Sequence, residues 1–220
     1  MTKNEQWSKE TAAIFNGVLL YSIAGVLHSI LSPIEALYSF GDTLSSFGTG
    51  EGLAGASAFT VFTYILSAGI IGGYILFLLG LSGFARILEP NDSASVGKIR
   101  TGVILGLIAT GVGFIPLIGW IVGGILNIIA FIMMLIAYSA LKNSRTFPAG
   151  ARRGAGSLFT SQILLIIGVV LGWIPFVGGI FRGILNIIAF ILLLTGWATI
   201  KNTQPEAPAY SMPEAPVNRQ

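Results

Sequence analysis

The chain has 220 residues, of which 54% are hydrophobic and 10% charged, with mean hydropathy +0.83 and a formal net charge of +3. A soluble chain carries about 25% charged residues, and a domain of this size could not cover so much apolar surface with so few polar groups, so a water-soluble globular protein is excluded. The cations lie scattered in short segments without a basic run or an aromatic platform, which excludes a nucleic-acid partner. Zero cysteines exclude disulfides, thiolate metal sites and cysteine nucleophiles.

After a polar N-terminal segment (1–10), residues 11–31 form an apolar run of 21, enough to cross a hydrocarbon core of about 30 Å. Lys3 and Lys9 precede it, as in a signal peptide, but the run exceeds a usual apolar signal core and lacks a small-x-small cleavage pattern. Ser32-Pro33 is expected to end this span, and the Gly- and Ser-rich residues 32–57 read as an outer loop. A second run, 58–85, closes at Arg86, so residues 11–86 hold the first two spans. A polar link at 87–100 follows.

Residues 101–141 carry no charge over 41 positions, too long for one span and right for two. Gly113-Phe114-Ile115-Pro116 marks the break, because Gly can end a helix in the left-handed conformation and Pro suits the first position of the next. After a basic loop at 142–153 the pattern recurs over 157–200, broken at Gly172-Trp173-Ile174-Pro175. A shift of 59 positions lays Phe114 on Trp173. It also makes nine consecutive residues from Gly124 to Ile132 identical to those from Gly183 to Ile191. Residues 96–144 and 155–203 are therefore expected to be two copies of one helical hairpin entering the membrane in the same direction, related by an axis along its normal. Two-fold packing would superpose them by half a turn. The tail, 204–220, repeats Pro-Glu-Ala-Pro and is too poor in apolar residues to fold.

The expected fold is thus all-α: a polytopic transmembrane bundle of about six spans with a tandem parallel hairpin repeat. Six spans place eleven of the twelve cations on the side of the termini, all but Arg182. The other side holds Glu35, Asp42 and Glu51. The positive-inside rule then makes both termini cytoplasmic in a multi-pass cell-membrane protein.

Small-x-x-x-small pairs provide smooth faces for close helix contact: Gly69/Gly73, Ala109/Gly113, Gly119/Gly123, Gly168/Gly172 and Gly179/Gly183. They serve packing within the chain or a homo-oligomer interface. Asn127 and Asn186 occupy equivalent mid-span positions, suited to an interhelical amide pair or to a polar pathway. Arg182, deep in the sixth span, stands where the first copy has Gly123. It would snorkel or bond a carbonyl end, or else face an anion or pore. His28 has no ligand-type neighbour on its face, so no metal site is read, and no cofactor motif is present. Gln162 and Thr110 read as helix-contact polars, and Trp120, Trp173 and Trp197 as interface-belt residues.

No span carries Asp or Glu, and there is no phosphate loop, His-Glu-x-x-His or Gly-x-Ser-x-Gly. The expected function is a non-catalytic structural, assembly or scaffold subunit, held by the lipid bilayer and packed through glycine faces. Its partners would be a second copy or a membrane complex, with a cytoplasmic partner for the Pro-rich tail. The alternative is a channel or facilitator for a small solute at the repeat interface. The topology has a direct check. Single cysteines at Ser46 and Ser144 should react with an impermeant maleimide from opposite sides of the membrane, and same-side labelling would eliminate the six-span arrangement.

Overall fold

Hydrocarbon offers no hydrogen-bond partners, so a segment crossing it must satisfy its backbone within itself. A computed structural model, describing residues 2–49, 56–112, 115, 118–175 and 177–205, meets this demand with helices throughout. They are α1 (Lys3–Thr49), α2 (Ala56–Ile87), α3 (Pro90–Val112), α4 (Gly119–Asn143), α5 (Ala149–Leu171) and α6 (Gly178–Asn202), with no strand among the described residues. All six contain stretches long and apolar enough to span a membrane. The protein is an integral membrane helical bundle.

Three boundaries differ from the sequence expectation. Helix α1 passes through Pro33 to Thr49, so most of the predicted 32–57 loop is helical. A proline removes one backbone donor and crowds the carbonyl four residues back, which bends a helix without necessarily ending it. Helices α3 and α5 begin before the predicted hairpin starts, at Pro90 and Ala149. Pro90 needs no donor in a first turn, and Asp92 sits favourably at that positive end. Gly172 ends α5 at φ −60°, in the right-handed region. The close approach in this turn is made at Gly178, where an added Cβ would press onto the backbone of Leu171 and Gly172. Pro175 lies in the turn, before α6 begins. Gly113 and Pro116 lie outside the described residues.

The bounds of α3 and α4 recur in α5 and α6 at the 59-residue shift. Turn bonds recur with them: Gly119 N–H donates to Ile115 and Gly178 N–H to Ile174, both at 2.9 Å. Buried positions match as well, with Ile99/Leu158, Ala109/Gly168, Ala130/Ala189, Tyr138/Trp197 and Leu141/Ile200 as pairs. The same faces point inward in both hairpins.

Helix neighbours run in chain order and close on themselves, α1 to α2 through α6 and back to α1. A half turn relating the two copies would pair α3 with α6 wherever it pairs α4 with α5. Helices α3 and α6 make no such approach among the described residues. The seams that do form, α2 with α3, α4 with α5 and α6 with α1, join three hairpins in a closed ring. Two lysines mark two of them. Lys142 Nζ lies 4.2 Å from the Phe159 ring centre across the α4/α5 seam, and Lys201 Nζ lies 4.8 Å from that of Phe15 across α6/α1. Every described Lys or Arg except Arg182 belongs to the half of the bundle that holds the termini, here called the terminal half.

Each hairpin closes by backbone contact. A Cβ added to Gly17 would lie 2.5 Å from the Phe77 nitrogen, and one on Gly154 would lie 2.5 Å from the Gly196 carbonyl oxygen. Gly102 is nearly as tight, 3.0 Å from the Ala130 oxygen. Gly154→Ala should therefore lower stability in detergent by about 1–3 kcal/mol through overpacking. Gly179→Ala, at an open helix position, should be neutral or stabilising by up to about 1 kcal/mol. Thermal unfolding followed by circular dichroism separates the two outcomes.

Candidate functional site

The terminal half and the far half of the bundle are built differently. In the terminal half, Trp7, Phe77, Phe84, Tyr138, Phe147 and Trp197 are almost wholly buried and fill the space where the three hairpins meet. Trp7 meets Phe84 edge-on at 4.8 Å, Phe77 meets Trp197 at 5.8 Å, and Tyr138 meets Trp197 at 6.5 Å. Edge-to-face pairs of this kind contribute about 0.5–1.5 kcal/mol each beyond area burial. The Trp7 indole N–H donates to the Ile200 carbonyl at 3.1 Å, pinning α1 to the end of α6. Trp197 is thus a core residue and not an interface-belt one, and its Nε1 is buried without a partner. Trp173 is exposed, as a belt residue would be. The side chain of Trp120 lies outside the described residues.

In the far half most buried residues are small, Leu66 and Gln162 apart, and a cavity of about 380 Å³ opens between α1/α2 and α5/α6. Its wall carries Ser22, Gln162 and Asn186 among Val26, Leu165 and Phe190, beside a stacked Tyr21–Tyr74 pair with ring centres 4.4 Å apart. Ser161 Oγ, on the same wall, donates to the Ala189 carbonyl at 2.7 Å and ties α5 to α6. Gln162 is buried, yet its carboxamide has no hydrogen-bond partner among the described residues.

Among the predicted packing residues, Gly73 fits tightly, its added Cβ falling 2.5 Å from the Tyr21 nitrogen, while Gly69 makes only ordinary contact with Ala24. Ala109, Gly119, Gly123 and Gly168 are buried. Gly172 lies against Arg182. Packing of Gly179 and Gly183 within the chain does not occur, since an added Cβ on either would meet nothing within 4 Å among the described residues.

The amide pair across the copies does not form either. Asn127 and Asn186 are both exposed, and α4 and α6 have no backbone approach, because helices one place apart in a ring of six are not neighbours. Asn186 lines the cavity, and Asn127 does not. Arg182 is exposed one turn outward from Asn186 and is not part of the cavity wall. Thr110 is exposed and bonds back to the Gly106 carbonyl at 3.0 Å. His28 is half-buried, and no metal-competent cluster of His, Cys, Asp or Glu occurs among the described residues.

Sequence reasoning passed over Trp7, whose single aromatic in a polar segment was the available signal, and Asp92. Asp92 is buried and accepts a 2.7 Å hydrogen bond from Thr146. It borders a cleft of about 290 Å³ on the terminal face, with Lys3, Glu89, Arg145 and Arg152, where Pro205 begins the tail. Comparison of the chain with protein-family models, curated proteins and solved structures gave no match.

Two amides on non-adjacent helices should act independently. The stability changes of Asn127→Leu and Asn186→Leu should add to within about 0.5 kcal/mol in the double variant. A coupling above about 1 kcal/mol in a double-mutant cycle would show that the amides meet.

Proposed function

We propose that this protein is a non-catalytic membrane scaffold, with its terminal face in the cytoplasm and its Pro-rich tail serving as a tether for a soluble partner. The observation that carries this reading is the aromatic plug. Phe77 of α2, Tyr138 of α4 and Trp197 of α6 meet ring to ring, so side chains of all three hairpins close the terminal half of the bundle between them. Close packing of rings at that point argues for a rigid support rather than a conduit.

Three further features support it. Gly179 and Gly183, four residues apart with open space beside them, leave a smooth strip on α6 for a second helix. The terminal cleft, with cations and carboxylates around the root of the tail, suits a polar soluble partner. One-sided Lys and Arg at the helix ends favour a cytoplasmic terminal face.

The alternative, a solute pathway between the two copies, has weaker support. The depression at the α4/α5 seam is lined by Leu135, Ile136, Ser139, Ala140, Asn143 and Phe159, and it reaches none of Asn127, Arg182 or Asn186.

Two measurements separate the readings. In mild detergent the protein should run as an oligomer or with a partner, and removing residues 206–220 should release a soluble partner without dispersing the membrane-embedded assembly. In liposomes it should give no passage of small anions or polar solutes above empty vesicles. Saturable flux through the unaltered protein, above that of empty vesicles, would overturn the scaffold reading.

A further inference from the structure

We infer that the intramembrane cavity between α1/α2 and α5/α6 binds an uncharged lipophile through a carbonyl or hydroxyl group held by Gln162 and Asn186. Depth is the first argument. Asn186 lies eight residues into α6 from its far end and Gln162 nine residues before the far end of α5, about 12–14 Å along the helices. That level is inside the hydrocarbon, below the reach of phospholipid headgroups. An amide facing hydrocarbon without a partner costs free energy, and Gln162 is 6% exposed with no partner among the described residues. No described residue supplies the group that would satisfy it, which leaves the position open to a ligand.

The chemistry of the wall restricts that group. Gln162 and Asn186 each present a carbonyl acceptor and two N–H donors on neighbouring helices. Among the described residues no Asp, Glu, Lys, Arg or His lines the cavity, so a charged ligand would meet no counter-ion there. Beyond the serines, the remaining surface is mainly apolar, with Val26, Leu165 and Phe190 beside the stacked Tyr21–Tyr74 pair, and accepts a flat ring or a chain. A volume of about 380 Å³ holds such a body with one polar group, and falls in the usual range of small-molecule pockets.

The two copies of the hairpin sharpen the point. At the 59-residue shift Gln162 corresponds to Val103 and Ser161 to Gly102, while Asn186 corresponds to Asn127. One copy keeps a lone amide, whereas the other adds polar groups opposite it, on the side where the cavity is. Packing alone does not call for them, because Val103 and Gly102 serve the same helix contact in the first copy.

The test uses the full chain in detergent with a diazirine-bearing long-chain primary alcohol as photoprobe and a decyl-substituted benzoquinone as competitor. Labelling should saturate, map to peptides bearing Val26, Leu165 or Phe190, and yield to the uncharged competitor. An alkyl sulfate of equal chain length should not compete. Gln162→Leu and Asn186→Leu should each raise the half-saturating concentration about tenfold, the scale of one lost hydrogen bond to a buried amide. Asn127→Leu and Arg182→Gly, outside the cavity, should leave it unchanged. If either Leu variant fails to fold, Leu165→Trp, which fills the cavity, should abolish labelling in its place. Unsaturable labelling spread over all lipid-facing helices, or saturable labelling indifferent to Gln162→Leu, Asn186→Leu and Leu165→Trp, would overturn the assignment.

Discussion

Lipid gives apolar helices no reason to leave it for one another, and the architecture follows from that constraint. Association then has to come from dispersion at very short range and from polar bonds across seams. The chain meets the first need with glycine wherever two backbones must touch, as at Gly17 with Phe77 and Gly154 with Gly196. It meets the second sparingly, through contacts such as Ser161 to the Ala189 carbonyl and Trp7 to the Ile200 carbonyl. Both kinds act within a hairpin or at the terminal end. The hairpins are thus units in their own right, joined chiefly at one end of the membrane.

That asymmetry divides the molecule into a packed half and an open half. Aromatic side chains from all three hairpins pack together around Trp7 and Trp197. The unpartnered Trp197 Nε1 is the cost of this filling, about 1–3 kcal/mol for a buried orphan donor. Its counterpart in the first copy is Tyr138, so the position demands a large ring rather than an indole in particular. Beyond the plug, the cavity, mostly apolar with a few polar side chains, lies between α1/α2 and α5/α6. A rigid base and a lipid-facing pocket are compatible with a scaffold that also senses or holds a lipophile.

The internal repeat supplies a comparison within one chain. Positions that keep their burial across the 59-residue shift, such as Ala130 and Ala189, carry the packing common to both hairpins. Positions that change from apolar or absent side chains to polar ones, Val103 to Gln162 and Gly123 to Arg182, mark what the second hairpin does differently. Arg182 shows how such a change is accommodated, since its alkyl chain lies along Gly172 near the far end of α5 and its charge can extend toward the headgroups.

Hydrophobic run length and charge placement determined the membrane class and the helix count, because they depend only on the bilayer's thickness and its intolerance of charge. The hairpin repeat was legible as letter identity, and the two hairpins carry the same helix bounds. Local turn chemistry was less legible: Pro33 lies within α1, and Gly172 ends α5 without a left-handed turn, because neighbouring packing decides whether a bend becomes a break. The tertiary structure alone decided the neighbours. Spacing shows which glycines share a face of one helix, yet not which face meets another helix, so Gly73 is tight while Gly183 is open. It likewise makes Asn127 and Asn186 equivalent and the α5/α6 hairpin puts Asn186 beside Gln162, whereas only the ring of three hairpins brings α1 and α2 against them, because a wall built from four helices exists only once their order around the ring is settled.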